Sequence, residues 1–250
     1  VGFLSYLFYP WSLILQVLAI IHFIRRRPDT YWIYIIIFLG PLGALIYLLV
    51  EGLPDIGMLS PTFRAAPRRR RIAELEAIVR ENASAANYEE LGDLLMDEGN
   101  LASARAAFDN AIAARSDTQD SFYRRGLCAL KLGDAAAAIP DLEQVFRKEP
   151  GFDFHRAGAM LALAYAQAGR KEEAEKLFRH MTTVSTLSET YLNFAEMLAS
   201  EGRIDEARQW AQKVLDKELT MPAYLRRRER HWFRNASEML KRLATPQPAK

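Results

Sequence analysis

Four histidines and one cysteine are the residues best suited to nucleophilic, acid–base or metal chemistry, and their spacing supports none of it. His22 lies within an apolar run, where an imidazole is a candidate axial ligand to a tetrapyrrole or, three residues before Arg25, a solvated side chain near that run's end. His155, His180 and His231 make no ligand cluster with each other or with Cys128. Cys128 follows Gly126 and Leu127 and reads as a small buried thiol; a single cysteine excludes an internal disulfide. There is no glycine-rich phosphate loop after a strand and no serine elbow. No catalytic residue, metal or cofactor is therefore expected, and an enzyme is the weakest class. What remains is recognition by charge and shape. Residues 85–118 hold seven acids and two bases, a local charge of −5, and residues 222–243 hold seven bases and two acids, a local charge of +5. The acidic stretch suits a basic segment and the basic one an acidic or phospholipid surface, or each is a solvated helical exterior. Arg226, Arg227 and Arg228 beside Trp232 have the look of a nucleic-acid patch, but a net charge of only +2 gives no general steering, and nucleic acid is not an expected partner.

The elements that must position these charges are set by a phrase that recurs four times: a small residue, then a glycine seven positions on, then an alanine five further. It reads Gly92, Gly99, Ala104; Gly126, Gly133, Ala138; Ala162, Gly169, Ala174; and Ala195, Gly202, Ala207. The turn glycines fall 34, 36 and 33 residues apart. Self-similarity of that period predicts stacked helix-turn-helix units, with glycine ending the first helix and small residues allowing the two helices to approach. Larger residues such as Tyr88, Leu91, Phe108, Leu142, Tyr165, Phe178 and Phe194 fill the layer.

This pattern resembles the tetratricopeptide repeat, with Pro150 at the terminal proline position of the second copy. The resemblance implies a partner-binding family in which the first helix of each pair lines a concave face. Its contact positions, carried onto this register, are Glu89, Asp93, Met96 and Asp97; Tyr123, Leu127, Leu130 and Lys131; Arg156, Ala159, Leu163 and Gln167; and Leu192, Glu196 and Ala199. Binders of chaperone tails in that family place lysine and asparagine where Glu89 and Asp93 stand. A carboxylate clamp is accordingly not expected, and the groove reads as acidic at one end and apolar in the middle.

Two apolar runs, Phe3 to Ile24 and Tyr31 to Val50, each have the roughly 20 residues that cross a hydrocarbon core, with Arg25 to Thr30 as a turn and aromatic residues at both ends. Arginines follow the first run rather than precede it, so a retained two-helix transmembrane hairpin is expected in place of a cleaved leader. Gly40, Gly43 and Ala44 form a small-residue face for helix packing, within the hairpin or against a foreign helix. Phe38 to Tyr47, with Trp32 and the Arg-Arg-Pro turn, resembles the N-terminal membrane hairpin of cardiolipin synthases of the phospholipase D superfamily, over about residues 12 to 52. That family's His-x-Lys-x4-Asp motif is absent, since no histidine here is followed two residues later by lysine. The whole chain resembles bacterial membrane-anchored tetratricopeptide proteins that join such a hairpin to repeats. Arg68, Arg69, Arg70 and Arg71 would face anionic lipid and favour cytoplasmic repeats, against the pull of the turn arginines.

The expected architecture is thus all-α: a transmembrane hairpin over 1–52, an irregular linker over 53–67, a capping helix over 68–84, four repeats over 85–221 (85–118, 119–152, 155–187, 188–221) and a basic capping helix with its tail over 222–250. The expected role is a non-enzymatic scaffold at the bacterial inner membrane, multi-pass. It would dock protein partners, themselves membrane-associated, and contact the bilayer through residues 1–50. It would serve either as accessory subunit of a membrane complex or as a tether; the alternative is a regulator of lipid or envelope synthesis acting through the hairpin.

Overall fold

The computed structural model describes residues 13–24, 30–52, 60–115 and 118–244. The chain divides into two units, residues 1–70 and 71–250, and the described residues are helical throughout apart from turns.

In the first unit, α1 covers residues 13–24, α2 Tyr31–Phe38 and α3 Gly40–Tyr47, followed by a π-helical turn Leu48–Gly52. Here the structure corrects the expected transmembrane hairpin. The second apolar run is not one helix but two of 8 residues each, broken at Leu39 and Gly40. The cause is Pro41, which lacks an N–H and disfavours helical geometry in the residue before it; Gly40 takes up the strain at φ +57. At about 1.5 Å per residue, 8 residues rise only about 12 Å against a core of about 30 Å. No described helix is long and apolar enough to cross a membrane. The expected multi-pass inner-membrane location, and with it the orientation of the repeats, therefore falls. Gly43 instead lets α3 approach α2: a Cβ there would lie 2.1 Å from the Ile35 carbonyl oxygen. Ala44 and Tyr47 are buried with Ala19, Trp32 and Ile36, and Tyr47 shares a 2.8 Å hydrogen bond with His22. The turn Arg25–Asp29, the aromatic residues before Trp11 and the tail 245–250 lie outside the described residues.

In the second unit, helices pair as the glycine phrase predicts. α5 (Ala85–Glu98) packs on α6 (Leu101–Ala113), α7 (Gln119–Lys131) on α8 (Ala135–Lys148), α9 (Phe152–Gln167) on α10 (Lys171–Val184), and α11 (Ser188–Ser200) on α12 (Ile204–Thr220). Gly99, Gly133, Gly169 and Gly202 sit at φ between +77 and +82, the left-handed geometry that ends each first helix where other residues pay a steric cost. Close approach also depends on missing side chains: a Cβ at Gly92 would lie 2.7 Å from the Phe108 ring. Ala104, Ala138, Ala174 and Ala207 are fully buried. The second helices start differently along the chain. Asn100 and Asp134 cap α6 and α8 by accepting from the Ser103 and Ala137 amides, whereas Arg170 and Arg203 stand at that place before α10 and α12. There, Glu172 and Glu173 or Asp205 and Glu206 supply negative charge to the first turn instead.

α4 (Ser60–Glu81) starts inside the stretch expected to be an irregular linker and carries Pro67 within it. From this helix Ile72 and Leu75 join Leu91, Leu95 and Phe108 in one core cluster. At the other end α13 (Ala223–Ala244) lays Phe233, Ala236 and Met239 on Phe194 and Val214.

Candidate functional site

The small residues and glycine turns line up the first helices of successive pairs, α9 lying beside α7 and α11, and α11 beside α13. The expected contact positions fall along this row, but many are occupied by the protein itself. Glu89 accepts hydrogen bonds from Thr118 at 2.9 Å and from buried Ser121 at 2.5 Å. Asp93 meets Arg124 at 2.9 Å, and burial pushes its carboxyl above the usual carboxylate range. Leu127 and Leu130 are each 7% exposed and Leu192 1%, while Met96 and Leu163 pack against core clusters. Asp97, Lys131, Gln167 and Glu196 remain exposed.

Midway along the row the ties become a relay. The Tyr123 hydroxyl donates to Asp153 at 2.8 Å, and Arg156 donates to Glu189 through Nε at 2.6 Å and Nη2 at 3.1 Å while lying 3.6 Å from Asp153. Burial raises the Tyr123 pKa and opposes the Arg156 charge, but the Glu189 carboxylate outweighs that and holds the guanidinium above its ordinary value. Ser188, next along, donates to Glu229 of α13. Glu189, Ser188 and Glu229 are missed by the carried-over positions. A signal for Glu189 exists: it stands thirteen residues before Gly202, as Arg156 does before Gly169.

Asp153 reaches both Tyr123 and Arg156 because three successive residues, Asp153, Phe154 and His155, take φ of 49, 54 and 67. Left-handed geometry costs about 1–2 kcal/mol per non-glycine residue. The turn leaves Phe154 76% exposed. Two cavities of about 220 and 400 Å³ share Phe154, Leu187, Arg228 and Glu229 as lining and so adjoin there. The first also takes in Trp232, against whose ring His231 packs at 4.4 Å; the second takes in Leu225 and Lys217, whose ammonium burial pushes below its ordinary pKa. The acids here are engaged, Asp153 and Glu189 by Arg156 and Glu229 by Ser188. Arg228 makes no hydrogen bond or ion pair among the described residues.

Of the four arginines expected to face lipid, Arg71 forms a two-bond fork with Glu90 at 2.8 and 3.0 Å and a 3.7 Å contact with Glu74, while Arg69 and Arg70 are exposed. Cys128 is buried and its thiol is pushed up to about 11 by that burial, which keeps it protonated and in a packing role. Among the described residues no group of histidine, cysteine, aspartate or glutamate could hold a metal ion.

Three family models described as tetratricopeptide repeat match residues 89–152, 129–183 and 187–217. DnaJ homolog subfamily C member 3 of Homo sapiens is 33% identical over 98 residues, 39% of this chain and 19% of that protein. The tetratricopeptide repeat and J domain-containing co-chaperone DNJ1 of Cryptococcus neoformans is 31% identical over 121 residues, 42% of this chain and 23% of that protein. The chain thus spans about a fifth of the length of the curated relatives it matches. Among solved structures, MamA from Desulfovibrio magneticus superposes with a TM-score of 0.57 at 21% identity, covering 64% of this chain and 90% of that one. A tetratricopeptide repeat protein from Parabacteroides merdae gives 0.55 at 16% identity, over 84% and 93%. YrrB, described as having an unusual peptide-binding site, gives 0.53 at 19% identity, over 61% and 79%. At these identities the likeness is one of fold.

Proposed function

We propose, for a chain that is a tetratricopeptide-repeat protein over residues 89–217, that it is a non-enzymatic scaffold docking protein segments at the α9–α11–α13 end of its first-helix row. The observation that carries this reading is Arg228, an unpaired guanidinium shared by two adjoining cavities beside the exposed ring of Phe154. An extended segment would place a carboxylate on Arg228 and an apolar side chain against Phe154 and Leu187. An exposed guanidinium at the cavity rim suits this, because charge-assisted bonds to carboxylate are about twice as strong as neutral ones. The peptide-binding site named for YrrB and the co-chaperone named for DNJ1 support docking of a polypeptide in general terms.

The test is quantitative affinity purification of the full chain against Arg228→Glu and Arg228→Lys, with mass spectrometry of the bound proteins. Partners docked here fall about 10-fold or more with glutamate and persist with lysine. Equal recovery with all three chains refutes the assignment.

A further inference from the structure

The opposite side of the second unit, built by the second helices, carries an open slot of about 660 Å³ between α8 and α10. Its apolar lining is Phe146, Leu161, Tyr165 and Leu177, with Pro150 at one end. Its acidic rim is engaged from within: Glu143 accepts the Tyr165 hydroxyl at 2.7 Å and lies 3.8 Å from Arg170, which also forks Glu173 and lies over the Tyr165 ring at 4.2 Å. Its basic rim is not. The side chains of Arg147, Lys176 and His180 are exposed and make no ion pair among the described residues. An apolar floor under three unmatched basic groups calls for an apolar side chain flanked by carboxylates.

The neighbouring pair carries an aromatic residue at the matching position. Thirty-three residues after Leu177 stands Trp210, packed 5.2 Å from the Phe194 ring and 5.8 Å from the Tyr191 ring, with the Lys213 ammonium 3.6 Å over its own ring. Thirty-three residues after Leu161 stands Phe194 itself. One pair therefore carries packed aromatic rings with a cation over one of them where the α8–α10 pair has leucines beside an open slot.

We infer that the α8–α10 slot is a second docking site, taking an acidic protein segment that inserts one aromatic or large aliphatic side chain over Leu161 and Leu177 between Arg147, Lys176 and His180. It is separate from the Arg228 cavities and does not rest on them.

The experiment titrates the full chain into a fluorescein-labelled peptide with one phenylalanine flanked on both sides by glutamates, read by anisotropy at low salt. The controls are the same peptide with alanine for phenylalanine and with lysines for glutamates. Binding of the first peptide, with at least about 10-fold loss for either control, is expected. Lys176→Glu should weaken it about 10-fold. Leu177→Trp should abolish it by filling the slot, with circular dichroism and the melting temperature confirming that the fold persists. Arg228→Glu removes any share of this peptide held at the Arg228 cavities, and in that background Lys176→Glu and Leu177→Trp should keep their effects. Equal binding of the lysine peptide, no effect of Lys176→Glu and Leu177→Trp, or complete loss of binding with Arg228→Glu alone each overturns the inference. Absence of binding by the wild-type chain at millimolar concentration does so as well.

Discussion

The first two helix pairs and the last two share one plan, yet their row of first helices is sealed at one end and open at the other. Across α5 and α7 most outward positions are consumed, by Glu89 with Ser121 and Thr118, by Asp93 with Arg124, and by the burial of Leu127 and Leu130, and only the helix ends at Asp97 and Lys131 stay exposed. Across α9, α11 and α13 the ties of Arg156 and Glu229 satisfy the acids but leave Arg228 and the Phe154 ring facing space. A repeat array thus becomes strut or dock according to whether its polar side chains pair inward, with the helix geometry unchanged.

The comparison can be broken most severely in the sealed half. Phe108→Ala removes a fully buried ring from the cluster that joins α4 to the first pair, and should cost about 3–5 kcal/mol in a denaturant titration. Phe154→Ala, exposed at the open end, should stay within about 0.5 kcal/mol. Gly92→Ala drives a methyl into the Phe108 ring and should cost about 1–3 kcal/mol, seen as a lowered midpoint at constant slope. The open half answers with the reverse sign at one position. Phe154→Gly relieves a left-handed residue and should raise stability by about 1 kcal/mol while weakening capture of partners. Strain that is relieved at the expense of binding marks a site kept for function.

The smallest effect is one of pH. Hydrogen bonds from Arg203 hold the Glu175 and Glu206 carboxyls below their ordinary range, Arg179 adding to both. Groups so depressed stabilise the fold above their unfolded pKa and lose that contribution as pH falls through the folded value. The melting temperature should therefore drop between about pH 5 and about pH 3, less steeply in Glu206→Gln. Asp93 has the other sign, because its carboxyl is raised by burial and binds its proton more tightly when folded. Its protonation on acidification favours the fold, and Asp93→Asn should steepen the decline.

The repeat plan was legible because it is local: glycine at a left-handed turn and small residues seven before and five after it follow from backbone geometry alone. The register also placed the residues from Glu89 to Glu196 on the first helices of the pairs. Which of them would be accessible was not legible, since Tyr123 and Leu192 are covered by neighbours that only packing supplies. The left-handed turn at Asp153 to His155 carries no glycine to announce it. The apolar run from Tyr31 to Val50 misled for the opposite reason. Mean hydropathy is blind to Gly40 and Pro41, whereas backbone geometry at those two residues ends the helix.

The most direct measurement places a photo-crosslinking amino acid at position 154 in one full chain and at position 97, the exposed end of the sealed row, in another. Both are irradiated in cells and the adducts identified by mass spectrometry. Protein adducts at 154 that vanish on adding Arg228→Glu, with none at 97, are the predicted result. Adducts at 97 with none at 154, or adducts at 154 indifferent to Arg228→Glu, would contradict a dock confined to the open end.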